Sequence, residues 1–470
     1  MANGLVEKIY SLINKSNETT GKTDTDLTRC IKSLSEGYGL QSNINGIIRE
    51  YEVNAGANVN AGDFVEFVNK CGKGEFHTAA INYLTACKLD NSRVLVAYSD
   101  EANGSYGTAS VLTIADGSIS RGPECVFNTK LTYHISVCAL TDSKAIIAYY
   151  TYNNNELGYV KTLSIDGSNI YTNGGADFAE SSVTGTAVVA LNDSKAFLIY
   201  GYYASGAYGY RSAARILTIN GTSITLGNTK IISSSECTFF SACALNESKV
   251  IFSCNYYNKS SSKHLLTLIA ASIDGDTFSI KSYSMEAGEG SIHHSSVCAL
   301  TNSKAIIAYS DFSNSACGSA RTITIAGEGV SLGDPIIFRS SGTSWMSIAP
   351  LSESKVLVSY YGSAKVLTIN GTAITAGNPF VFNPTETDGT RGTYKTVIAF
   401  SDNSALVVFT DGSDIRGIGA YASLSIDDST ITENEASGTF VQPAKSNLHN
   451  VGVAKTAGAE GESVEVYCAV

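Results

Sequence analysis

Residues Val137–Tyr150 read VCALTDSKAIIAYY, and Val297–Ser310 read VCALTNSKAIIAYS, with two differences in fourteen positions. A phrase repeated within one chain constrains the fold strongly, because each copy must pack against other copies of itself. Aligned on the Ser-Lys pair, it recurs seven times: KLDNSRVLVAY (88–98), ALTDSKAIIAY (139–149), ALNDSKAFLIY (190–200), ALNESKVIFSC (244–254), ALTNSKAIIAY (299–309), PLSESKVLVSY (350–360) and AFSDNSALVVF (399–409). The anchors Arg93, Lys144, Lys195, Lys249, Lys304, Lys355 and Ser404 are spaced 51, 51, 54, 55, 51 and 49 residues apart. The seventh copy has lost the Lys and puts Phe409 where most copies have Tyr.

A second motif follows each copy, as in VLTIADGSIS (111–120), ILTINGTSIT (216–225) and VLTINGTAIT (366–375). Alternating apolar residues on both sides of Asp-Gly or Asn-Gly are a strong hairpin signal. The first motif is a hairpin too, turning at its Asp-Ser group. Each repeat therefore reads as four strands: a around VCAL, b through KAIIAYY, c through LTI, and d after the second turn. Four-stranded units of about 50 residues, seven times over, predict a mainly β fold, a seven-bladed β-propeller. An open solenoid is the alternative. Strand a, apolar at nearly every position, is expected to be buried on both faces. No WD40, kelch or sialidase Asp-box signature recurs.

Composition supports this and removes some functions. Charged residues are only 16%, and Ser, Thr, Asn and Gly fill the polar positions, as short strands and tight turns require. A net charge of −11 without a basic run argues against nucleic acid and against an anionic membrane surface. The start, MANGLVEKIYSLINKSNE, is amphipathic and lacks a signal-peptide pattern, and no stretch reaches eighteen apolar residues. These features predict a chain folded in a cytosol. Cys87, Cys138, Cys243 and Cys298 share one register of the repeat and read as small buried apolar side chains. CxxC is absent, so zinc ribbons and thioredoxin-like chemistry are not expected.

In an up-and-down blade the a–b and c–d turns emerge on one face, where the copies agree. The b–c loops and d-to-a connections emerge on the other, where they differ. Loops on a rigid scaffold carry function, so candidates are sought there. Tyr150, Tyr152, Tyr202, Tyr203, Tyr208, Tyr210, Tyr256, Tyr257 and Tyr361 all follow strand b. Rigid rings with hydroxyls suit sugar binding, although tyrosine also favours strands and half-buried positions. Asp100, Asp311 and Asp411 share a register after strand b and would bind a cation or sugar hydroxyls if gathered, or remain solvated. His134 and His294 share a register ten residues before the Lys, and they and the sole Trp, Trp345, are expected in d-to-a connections. No GxSxG, HExxH, SxxK or EF-hand loop occurs. The reading is of no cofactor, no resident metal, no catalytic residue and no enzymatic activity.

Residues 1–42 are predicted to form a helical attachment segment, with stripes at Leu5, Ile9, Leu12 and Ile13 and at Leu27, Ile31 and Leu34. GKT within TTGKTDTDLT lacks the leading Gly of a P-loop. The pattern Thr20-Gly21-Lys22-Thr23-Asp24, Leu27-Thr28 and Ile31-Lys32-Ser33-Leu34 resembles the N-terminus of tail proteins of Gram-positive phages and phage-tail-like bacteriocins. The Ala-Ile-Arg usual before it is missing. Residues 43–72 with 441–470 resemble one small β module of phage virion proteins, on Ala61–Phe67 and Glu460–Val466. The propeller would then span 73–440 between its halves. The resemblance implies a virion protein made in the host cytoplasm. Its N-terminal segment would dock to tail or baseplate proteins, and its loop face would meet a host glycan or surface protein. Homo-oligomers are common in such fibres, and nothing in this chain specifies one. A structural decoration role, a glycan-cleaving enzyme and an unrelated lectin or adhesin stand as alternatives.

Overall fold

The computed structural model describes residues 48–52, 64–69, 73–433, 439–443, 451–454 and 463–468, except 116–117, 153–156, 180, 205–208, 234–236, 259–262, 286–291, 328, 385–393 and 413–416. These residues are mainly β-strand. The described helix comprises two single 3-10 turns, Glu101–Asn103 and Phe312–Asn314. The helical segment expected over 1–42 lies outside the described residues.

The chain divides into two compact units, the flanks and residues 72–434 without 116–118. In the first, Ile48–Glu52, Ser463–Cys468, Val451–Ala454, Phe64–Asn69 and Thr439–Pro443 lie side by side in one sheet. Residues from both ends of the chain pair directly, Tyr51 with Val464 and Phe67 with Val441.

In the second unit repeats 3, 4, 5 and 6 each make their own antiparallel sheet, and repeats 7, 1 and 2 are joined in one twelve-stranded sheet. Repeat 3 is typical. Val183–Ala190 (a) pairs with Lys195–Ala204 (b), which pairs with Gly209–Asn220 (c). Strand d is broken, with Ser223–Leu226 and Lys230–Ser233 both pairing with c. The run Cys125–Thr141 pairs with strand c of repeat 1 and then with strand b of repeat 2. The first long strand does the same across the ends of the repeat array. Lys73–Ile81 pairs with Gly417–Ala422 of repeat 7, and Ile81–Lys88 pairs with strand b of repeat 1. The seven inner strands also contact one another in sequence, and Lys395–Ser401 of repeat 7 contacts Lys73–Lys88 of repeat 1.

Among the described residues the core of this unit forms seven apolar clusters, one at each junction between neighbouring repeats, including repeat 7 with repeat 1. Strand periodicity explains the run KAIIAYY. Ala145, Ile147 and Tyr149 pack toward repeat 1, whereas Ile146, Ala148 and Tyr150 pack toward repeat 3. Both faces of strand b are covered, so every position is apolar. Strand a was expected to hold this place. It is instead only half-buried, as at Lys73–Lys88 and Val183–Ala190, because the inner strands face the axis with one side.

The repeated polar residues join neighbours. Arg93 donates to the carbonyls of Gly167 (2.8 Å) and Asp142 (3.1 Å) in repeat 2. Lys195 donates to Gly275 O at 3.0 Å and Lys249 to Gly327 O at 2.6 Å, each in the following repeat. Ser136, Ser241, Ser296 and Ser347 accept from the inner-strand amides of Val188, Val297, Ile348 and Val397 in the next repeat. Arg93, Lys195 and Lys249 at the anchor, and the serines eight residues before it in repeats 2, 4, 5 and 6, thus connect neighbouring repeats.

Candidate functional site

Ten residues before the anchors, where inner strands begin, stand Tyr83, His134, Gly185, Phe239, His294, Trp345 and Tyr394. The a–b pairing slips around this register, between Asn82 and Thr85, Tyr133 and Ser136, Thr238 and Ser241, and His293 and Ser295. Each slip is a bulge that re-aims one side chain. Tyr83, His134, Phe239, His294 and Trp345 have φ of 51°, 50°, 55°, 43° and 49°. Left-handed backbone costs a non-glycine residue about 1 kcal/mol or more, so five aromatic residues there require compensation.

Part of it comes from ring contacts. Tyr83 lies 5.2 Å from His134 and 5.4 Å from Tyr394, centroid to centroid. Trp345 lies 5.2 Å from Tyr394 and 4.8 Å from His294, and His294 lies 4.4 Å from Phe239. Phe239 also meets Trp345, two repeats on, at 5.4 Å. Residues from alternate repeats meet in this way only if they converge on a common axis. The described contacts break at repeat 3, where Gly185 supplies no ring. The arrangement is an aromatic horseshoe of six residues. Phe239 is 37% exposed, and the other five are half-buried. Burial pulls the His134 pKa down to about 4, so its imidazole is neutral at ordinary pH.

His134, His294 and Trp345 were expected in d-to-a connections. His134 and His294 sit instead within the strands Cys125–Thr141 and Ile292–Thr301, whereas Trp345 does lie in the connection between Ile336–Gly342 and Ser347–Ser352. Sequence reasoning missed Tyr83, Phe239, Tyr394 and Gly185, although reading the His register across all seven copies would have found them.

The tyrosines separate into three groups. Tyr203 and Tyr210 face each other across strands b and c of repeat 3, edge to face at 5.1 Å, 43% and 38% exposed. Tyr152 is 50% exposed. Tyr202 is half-buried beside Tyr200. Tyr150 and Tyr361 are corrected, because both are buried between sheets. Strand b stays covered for one residue beyond the repeated Tyr, so a ring there packs inward. The Tyr150 hydroxyl lies 3.2 Å from Ser182 Oγ, and Tyr361 carries Arg339 over its ring at 4.7 Å. Tyr208 lies outside the described residues. Tyr256 and Tyr257 are described by strand pairing alone, opposite Leu265 and His264.

The three aspartates serve local structure. Asp100 is buried and caps Glu101–Asn103 by accepting from Ala102 N, and Asp311 caps Phe312–Asn314 through Ser313 N. Asp411 pairs with Lys73 at 2.9 Å. Among the described residues no group of three or more His, Cys, Asp or Glu could hold a metal ion. One mixed cluster joins repeats 7 and 1. His77 Nδ1 lies 3.0 Å from Glu124 Oε1 and His77 Nε2 lies 3.4 Å from Asp100 Oδ1. The Tyr98 hydroxyl donates to Glu124 at 3.2 Å, and Arg121 also donates to Glu124. Elsewhere, a cavity of about 140 Å³ opens beside Leu245, Lys249, Ile251, Lys281 and Gly327. It lies toward the turn face, and Lys249 there already donates to Gly327.

No protein-family model matches the chain, and no curated protein matches it. Solved structures align loosely. A protein of unknown function from Dyadobacter fermentans has 13% identity over 63% of this chain and 95% of its own, with a TM-score of 0.45. The Penicillium chrysogenum α-L-arabinanase has 11% identity over 80% and 99%, at 0.44. The NanB sialidase of Streptococcus pneumoniae has 14% over 77% and 71%, at 0.42. At such identities the likeness goes no further than fold, and the activities remain those of the neighbours. Because an arabinanase and a sialidase are among these neighbours, the sequence-based assignment of the chain as a non-enzyme is corrected and dropped.

Proposed function

We propose that this chain is a carbohydrate-recognising protein of a phage tail or tail-like particle, built on a closed seven-bladed β-propeller. Its ligand is a host-surface glycan, met on the face where loops follow strand b. The Tyr203–Tyr210 pair carries this reading. Two large rings stand exposed and perpendicular at the end of a paired hairpin, where burial would be the usual fate of such side chains. Tyrosine offers C–H stacking and a hydroxyl with little side-chain entropy to lose. The phage placement rests on the N-terminal and flank motifs, and the ring reading on the seven junction clusters and the shared strand Lys73–Lys88. Binding of the full chain to host cell wall, absent from walls stripped of their glycan, is the expected result. Equal binding to stripped walls contradicts it.

A second reading, glycan cleavage, is favoured by the Asp100–His77–Glu124 arrangement. Carboxylates on both sides of one imidazole are a source of acid and base groups. Release of reducing sugar from the same cell wall, lost in Glu124→Gln, supports it. No release from any bound glycan removes it.

A further inference from the structure

We infer that the aromatic horseshoe at the start of the inner strands is a binding site for a neutral pyranose ring, with Phe239 and Trp345 as its stacking surface. This rests on the carbohydrate reading above and deepens it. At one register, six of seven repeats place an aromatic or imidazole ring, and five of these occupy left-handed backbone. A packing role alone does not ask for this. Small or unstrained residues fill that register without the backbone penalty, as Gly185 does. Strain held at one place in repeat after repeat marks a site whose side chains are aimed.

The chemistry of the horseshoe selects the ligand class. Tyr, Phe, Trp and the neutral His134 have π faces or hydrogen-bonding edges but no formal charge. On the loop face Asp411 is paired with Lys73, and Asp100 with its helix cap and His77. An uncharged sugar matches, with C–H faces on Phe239 and Trp345 and hydroxyls toward the Tyr and His edges. Phe239 is the exposed member of this surface. Gly185 supplies no ring on repeat 3, where the Phe240 ring packs beside it, 3.1 Å from the place of a Cβ; the same repeat carries the exposed Tyr203–Tyr210 pair.

Trp345 is the sole tryptophan, so its fluorescence reports on the horseshoe alone. The test titrates the full chain with methyl glycosides of neutral hexoses and N-acetylhexosamines, with glucuronate, and with choline, while cell-wall glycan binding is followed by calorimetry. The expected result is a saturable change in Trp345 emission with a neutral glycoside alone, and a loss of affinity of about tenfold in Phe239→Ala at unchanged Tm. Cell-wall glycan binding that leaves Trp345 emission unchanged and tolerates Phe239→Ala overturns this site while leaving the carbohydrate reading intact. A response to choline or glucuronate alone overturns the ligand class. Absence of any glycan binding overturns both.

Discussion

Phe76 lies 5.9 Å from Tyr98, ring to ring, and so repeats at the meeting of repeats 7 and 1 a contact found elsewhere within the array. Phe127–Tyr149 at 5.2 Å, Phe178–Tyr200 at 4.9 Å and Phe338–Tyr360 at 5.5 Å are its equivalents. In each, a Phe of an outer strand packs on the repeated Tyr of the next repeat. Phe76 does so from the strand that pairs with repeat 7, and thereby joins the two ends of the array. Phe76→Ala should cost about 3–5 kcal/mol, as for other buried phenylalanines. Hydrogen exchange should rise first in 73–100 and 395–427. A uniform rise across all repeats would contradict a seam at this position.

The same phenylalanines need space beneath them. A Cβ added at Gly107 would fall 2.3 Å from the Phe127 ring. Gly107→Ala should therefore destabilise by about 1–3 kcal/mol through overpacking. Phe127→Leu on that background should recover part of the loss, and a double-mutant cycle measures the coupling.

Arg93 replaces the Lys of other copies and uses both terminal nitrogens on carbonyls of the next repeat. A lysine has one point of charge and cannot span both. Arg93→Lys should cost about 1 kcal/mol in urea unfolding; the part from the two carbonyl bonds should survive in high salt, and the part from the Asp90 ion pair should be screened.

His134 gives stability a pH dependence of known sign. Its pKa is about 4 in the fold, against roughly 6.5 for an unperturbed histidine. Between these values the unfolded chain holds a proton that the folded chain does not, so stability rises with pH. The contribution is complete above 6.5 and declines as pH falls toward 4, by on the order of 2–3 kcal/mol. In His134→Phe the slope of unfolding free energy between pH 4 and 6.5 should be shallower than in the parent. An unchanged slope would place the titration elsewhere.

Burial raises the thiols of Cys87 and Cys243 to about 12 and those of Cys138 and Cys298 higher still. The thiolate is the reactive form, so these cysteines should resist thiol reagents at pH 8 in the native protein and react fully in denaturant. Of the four expected to be buried, Cys298 is, and Cys87, Cys138 and Cys243 are half-buried; fast native labelling at Cys87, read by mass spectrometry, would contradict the raised thiol pKa.

The repeat made much of the architecture legible, because VCALTDSKAIIAYY records what packing requires at every junction. Ile146 and Ile147 are both apolar since the two faces of strand b meet different neighbours. The role of the anchor Lys was not legible, because its partners, such as Gly275 for Lys195, lie 80 residues away. The site was read only in part. Tyr203 lies three residues past the repeated Tyr of strand b and is exposed, whereas Tyr150 lies one residue past it and is buried. Strand alternation puts both on the same face, and the position at which a strand leaves the cover of its neighbours is a tertiary property. His134 and His294 revealed the register of the horseshoe but not its meaning, because bulges and left-handed φ leave no mark in the residue types of a Tyr, a Phe or a Trp.

The central claim, that this face recognises a glycan, is tested most directly by calorimetric titration of host cell-wall glycan into the parent chain and into Tyr203→Ala/Tyr210→Ala. Both side chains are exposed, so the variant should fold with an unchanged Tm. The account predicts saturable binding by the parent and a loss of affinity of tenfold or more in the variant, given about 1 kcal/mol or more per stacked ring. Equal affinity in the two proteins, or no binding by the parent, would contradict it.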